Sequence, residues 1–144
     1  MVRRLTTTEI SELLATDAVA RLATVDVDGY PHVIPIWFLW VADVFYLTSY
    51  PDRPHLERIR NNPRVGLVID LEDPLRADGE RPNRQVRIVG DATLSVDTDG
   101  TWTKRIRWKY MDRTVAPGAA ERNPNRERIL ITVRPHDVTA VASI

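Results

Sequence analysis

The feature that most constrains this chain is the period-two alternation of "VARLATVDVDGYPHVIPIWFLW", residues 19–40, interrupted at Asp28-Gly29. Alternating apolar and polar side chains suit a strand with one buried face, and Asp-Gly supplies the positive-φ turn that reverses a chain tightly. The pattern predicts antiparallel strands at about 19–27 and 30–40. Two strands alone are marginally stable in water, so the ribbon must belong to a larger sheet. "DVDGY" opens like a calcium-binding loop, but the later ligands of such a loop are missing and hairpin chemistry accounts for it.

The remaining pieces supply that sheet. "TTTEISELLA" has a threonine start, an early glutamate and apolar Ile10, Leu13 and Leu14 at helical spacing, which predicts a short capped helix over 7–15. "DVFYLTS" is a third strand. "RPHLERIRNN" reads as a helix stopped at Asn61-Asn62-Pro63, and "RVGLVIDL" as a fourth strand. Residues 72–83, "EDPLRADGERPN", carry prolines, a glycine and many charges without periodicity and read as a mobile loop. "RQVRIVGDATLSV" is a long fifth strand whose Gly90 marks a bulge or bend. "TDGTWTKRIRWKYMDR" is a second long helical pattern, with Trp102, Ile106 and Met111 loosely aligned. A polar loop at 114–125 follows, then strands "RERILITVRP" and "HDVTAVAS". Six or seven antiparallel strands with inserted helices predict a mainly β fold, a barrel with flanking helices, formed by a single domain over residues 1–144.

Composition excludes several functions. Twenty Lys and Arg balance twenty Asp and Glu, so no global basic field calls for nucleic acid or an anionic membrane, and any anion site must be local. There is no cysteine, which removes disulfides, thiolate catalysis and zinc ribbons. The polar, amphipathic opening "MVRRLTTTEISELL" and the lack of a long apolar run lead to the expectation of a cytoplasmic protein. Arginine greatly exceeds lysine, which occurs only at 104 and 109; a GC-rich coding background is the first explanation of the bias, and planar anion recognition the second.

The local candidate lies at "LTSYPDRPHLERIRNNPRVGLVID", residues 47–70. Thr48 and Ser49 bring hydroxyls to a strand end, and Arg53, His55 and Arg58 bring cationic donors within about one helical turn, a set that fits a phosphate ester. The competing interpretation is a solvated helix face on which Glu57 offsets an arginine. No serine or carboxylate pairs with His32, His55 or His136 in a catalytic motif, and no metal-ligand spacing is present; His32 and His136 read as structural.

The order of the pieces resembles a known family. "ARLATVDVDGYPHVIPIWF", the Thr-Ser strand end, the basic turn, "RNNPRV" and "VRIVGDATL" together resemble the pyridoxamine 5'-phosphate oxidase-like FMN-binding split barrels, and within them the flavin and deazaflavin oxidoreductases. The resemblance spans about residues 7–142. It implies a split barrel that binds deazaflavin F420 or FMN, with Thr48, Ser49, Arg53, His55 and Arg58 toward the cofactor phosphate and Ile34, Pro35, Ile36 and Trp37 bordering the ring. It further implies a homodimer with the cofactor at the subunit interface, reached by Gln85, Arg87 and Trp108, and a small organic substrate. Where many relatives have Lys-x-x-Asn-Leu, this chain has His55-Leu56-Glu57-Arg58-Ile59. A histidine half protonated near pH 6.5 leads to the expectation that cofactor affinity falls as pH rises through its pKa. An extended row including Arg53, Arg58, Arg60, Arg3 and Arg4 favours the deazaflavin with its polyglutamate tail. A non-catalytic flavin- or haem-related carrier, and a barrel without cofactor, are the other classes compatible with the chain.

Overall fold

The computed structural model describes residues 1–111 and 126–143. Its strands are β1 (Val2–Arg4), β2 (Ala20–Val25), β3 (Pro31–Ile36), β4 (Leu39–Val41), β5 (Val44–Ser49), β6 (Arg64–Glu72), β7 (Asn83–Val96) and β8 (Ile129–Ser143). Three helices accompany them: α1 (Thr7–Ala15), α2 (Pro54–Asn61) and α3 (Thr101–Tyr110). All strand pairs are antiparallel, in the order β3-β2-β6-β7-β8-β5-β4, with β1 added to β8. The two ends of this path, β3 and β4, are consecutive in the chain and joined only by Trp37 and Phe38. A sheet whose first and last strands are that close must curl on itself, and the result is a mainly β split barrel with flanking helices.

Alternation places the core inside. Leu22 of β2, Leu67 and Ile69 of β6, Val86 and Ile88 of β7, Ile131 and Val133 of β8 and Phe45 and Leu47 of β5 are buried together. Phe38 is fully buried between β3 and β4. The helices close the barrel with Leu13 and Leu14 of α1 and Leu56 and Ile59 of α2. In α1 the predicted capping box forms: the Thr6 hydroxyl accepts from Glu9 N and the Glu9 carboxylate accepts from Thr6 N.

Several boundaries differ from expectation, each for a local reason. The segment predicted as one strand at 30–40 is two, because the chain turns a corner at Trp37-Phe38 to bury Phe38. The two predicted C-terminal strands are one, β8; with the 30–40 segment divided into β3 and β4 and with β1 added, the described residues form eight strands rather than six or seven. The irregularity at Pro135-His136 is a bulge: Val89 pairs with Asp137 and Gly90 with Pro135, leaving His136 as the extra residue. Gly90 is required there, since a Cβ would stand 2.3 Å from the Arg134 carbonyl oxygen. The Asp28-Gly29 turn is longer than two residues and is built on Asp26, whose carboxylate accepts from Asp28 N and Tyr30 N and also meets His32. Residues 73–82 form a hairpin end tied by Asp73 N to Pro82 O and Arg76 N to Glu80 O. Residues 114–125, predicted as a loop, and the last residues of the second predicted long helix lie outside the described residues.

Candidate functional site

The end of β5, the start of α2 and the edge strand β3 enclose an open cleft of about 470 Å³. β5 buries every second residue, Phe45, Leu47 and Ser49, so Ser49 ends the strand facing inward with Thr48 beside it. Pro54 occupies the first turn of α2, where its missing N–H costs nothing, and Arg53 precedes the helix without capping it through its side chain. The helix then buries His55, Leu56 and Ile59 and projects Arg58 to the cleft.

Eight of the residues expected at a cofactor lie together on this lining: Ile34, Pro35 and Ile36 from β3, Thr48 and Ser49 from β5, and Arg53, His55 and Arg58. Trp37, Gln85, Arg87 and Trp108 do not. Trp37 leaves the cleft to stack on Tyr110, with ring centroids 4.7 Å apart. Gln85 and Arg87 belong to β7, where the Gln85 amide donates to Asn83, and Trp108 is on α3 with its indole partly exposed. Sequence reasoning missed Tyr50 and Arg128, which complete the lining. Arg128 is remote in sequence and reaches the site because β8 pairs with β5, Ile129 opposite Ser49. No local signal could have placed it.

The electrostatics are one-sided. Arg128 donates to the Tyr50 hydroxyl at 2.7 Å and lies over its ring at 3.7 Å; Arg126 lies over the same ring at 3.9 Å and Arg53 at 5.5 Å. Arg58 is anchored by its Nε, which donates to the buried Thr24 hydroxyl at 2.8 Å. Among the described residues none of these four arginines forms an ion pair. Among the described residues the cleft lining contains no carboxylate. By contrast Arg60 pairs with Glu57 and Arg3 with Glu9, so the extended row of free arginines expected from the sequence is a compact cluster instead.

His55 departs from the expected cation. It is 6% exposed and its Nε2 has no hydrogen-bond partner. Burial, then Arg58 and Arg53, pull its pKa down to about 4. The ring is neutral at pH 7 in the free protein, which corrects the expectation of a half-protonated phosphate anchor: desolvation and two guanidiniums penalise the imidazolium.

A half-buried cation sits at the end of α3. Lys109 Nζ donates to Leu14 O at 3.0 Å, Phe38 O at 3.1 Å and Tyr110 Oη at 3.4 Å, and lies 3.5 Å from the centre of the Phe38 ring. Tyr110 Oη in turn donates to Ala18 O at 2.9 Å. Burial lowers the Lys109 ammonium to about 8 and raises the Tyr110 phenol to about 12. This knot fastens α3 to the end of α1 and to the Trp37-Phe38 corner beside the cleft.

Comparison with known proteins agrees with this architecture. Residues 6–142 match the pyridoxamine 5'-phosphate oxidase family, and the chain belongs to it. Among solved structures it is similar to a FAD-binding protein from Mesorhizobium loti, with 25% identity, a TM-score of 0.70 and coverage of 100% of this chain and 99% of that one. It is also similar to an F420 reductase, with 26% identity, a TM-score of 0.66 and coverage of 89% and 94%. A FAD-binding protein from Mycobacterium smegmatis, 19% identical with a TM-score of 0.65 and full coverage of both chains, shares the fold. No curated protein matches the chain.

Proposed function

We propose that this protein is an oxidoreductase that uses a flavin-type cofactor, FMN or deazaflavin F420, on a small organic substrate. The observation that carries the reading is the cleft itself: Arg53, Arg58 and Arg128, none of them ion-paired among the described residues, line one concave surface together with His55, whose buried Nε2 has no described hydrogen-bond partner. Guanidiniums gathered on one cleft suit an anionic ligand, and membership of the family, together with similarity to a FAD-binding protein and an F420 reductase, supports a flavin-type one.

Bound there, the cofactor would supply hydride chemistry. The chain's own part is to hold and orient. Arg53, Arg58 and the hydroxyls of Thr48 and Ser49 fix the phosphate, while Ile34, Pro35 and Ile36 offer an apolar edge to the ring and limit water there. Three arginines on the lining, with Arg126 over the Tyr50 ring, exceed what one phosphate needs, which favours a ligand with further acidic groups and hence the deazaflavin. The residues expected from the sequence but absent from the cleft suit a partner-facing role. On the outer face of the sheet Val33, Ala23, Gly66 and Val89 stand side by side across β3, β2, β6 and β7, with Val33 and Val89 more than half exposed. Arg87 is two residues from Val89 on that face. A homodimer packed on this stripe would bring Gln85 and Arg87 toward a second subunit.

The test is equilibrium binding of F420 and FMN to cofactor-free protein, with Arg53→Ala as control. Binding weakened about tenfold or more by the substitution is the expected result; binding of neither cofactor removes the reading. Retention of a cofactor that no donor reduces would favour the carrier.

A further inference from the structure

We propose that filling the cleft with an anionic cofactor protonates His55, so that each binding event takes one proton from solvent onto the imidazole while Nε2 donates to the anion. The inference rests on the proposed cofactor reading and adds to it a proton linkage at the same site.

The geometry supplies the argument. His55 is more than nine-tenths buried, borders the cleft, and carries a ring nitrogen that no protein group satisfies. Its charged neighbours are all cationic: Arg53 and Arg58 on its own helix and Arg128 from the β8 side. The facing end of β5 contributes only hydroxyls, from Thr48, Ser49 and Tyr50, and β2 contributes the Thr24 hydroxyl already taken by Arg58. Nothing in the free cleft therefore stabilises an imidazolium.

An anion between Arg53 and Arg58 changes two of the three causes that hold the ring neutral. It offsets both guanidinium fields, and its negative charge and an acceptor for Nε2 work against desolvation, the largest of the three. A histidine at this position thus makes occupancy sensitive to pH over the range in which the free and bound rings differ. By linkage the cofactor must bind more tightly as pH falls through that range.

Two measurements decide it. The affinity of F420 and of FMN is measured from pH 6 to pH 8 for the wild-type protein and for His55→Gln, which keeps an N–H donor but does not titrate. The cofactor's own ionisation cancels in the ratio of the two proteins. If the bound ring regains its ordinary pKa, the wild-type affinity relative to the variant is about fourfold greater at pH 6 than at pH 8. A ratio that does not change with pH overturns the proposal. In the second measurement the imidazole resonances of the three histidines are followed at pH 6 in the free and cofactor-bound wild-type protein. His55 is expected to pass from the neutral to the protonated signature, and an unmoved neutral signature with cofactor bound overturns the proposal even if the variant fails to fold. Binding of neither cofactor is a different failure, which removes the functional reading and this linkage with it.

Discussion

Two cationic sites, one at Lys109 of α3 and one at the cleft beside α2, differ in one respect. At Lys109 the ammonium meets two main-chain carbonyls and a phenol, all from this chain. At the cleft, Arg53, Arg126 and Arg128 gather over the Tyr50 ring and Arg58 lines the same surface as the neutral His55, and among the described residues none of the four forms an ion pair. Burial depresses the pKa of both Lys109 and His55, so a shifted pKa does not tell the two apart. Hydrogen-bond satisfaction does: a cation whose donors are used up internally holds the fold, whereas donors left over are available to a ligand.

The contrast is broken most directly at Lys109. Lys109→Ala strands two buried carbonyls and is expected to cost about 3 kcal/mol of stability, lowering the melting temperature by roughly 10 °C, with cofactor affinity of the folded protein unchanged. Loss of binding at constant melting temperature would merge the two regions into one site. Arg58→Ala sharpens the comparison because Arg58 belongs to both kinds: it should weaken cofactor binding about thirtyfold, near 2 kcal/mol, and cost about 1 kcal/mol of stability through its lost bond to Thr24. Binding titration and urea denaturation separate the two effects.

The next effect depends on pH. With its folded pKa near 4 and an unfolded value near 6.5, His55 binds fewer protons in the native state between those values. Its contribution to stability is present above pH 6.5 and is lost as pH falls toward 4. Between pH 7 and pH 5 the free protein should lose about 2 kcal/mol from this group. Denaturant midpoints in His55→Asn should lack that component, and an identical pH dependence in both proteins would deny that the ring is held neutral. The smallest effect is at Tyr110→Phe, which removes one hydroxyl bonded to Ala18 O and should cost about 1 kcal/mol by thermal denaturation, without altering cofactor affinity.

Local pattern revealed much of this and missed what is remote. α1 and the inward alternation of β2, β5 and β6 follow from capping and period-two signals, and the Thr48 to Arg58 side of the cleft is contiguous in sequence. Arg128 and Tyr50 meet only because β5 pairs with β8, a register that no local pattern encodes. β1 is three exposed residues without alternation, so its pairing to β8 left no trace. The resemblance put Trp37 at the cofactor ring with Ile34, Pro35 and Ile36, but the chain's corner carries it onto Tyr110. The charge state of His55 was misjudged because burial and neighbouring guanidiniums, not residue type, set it.

The placement of β8 has a consequence for how the protein is made. Its first part pairs with β5, its last part with β1, and its whole length with β7. Synthesis proceeds from the other end, so β1 and β5 must wait without this partner until the final strand leaves the ribosome. The Arg128 wall of the cleft is completed at the same moment. A nascent chain arrested before β8 emerges should therefore be protease-sensitive and unable to retain cofactor, and the acquisition of the site and the closure of the barrel should be a single late event.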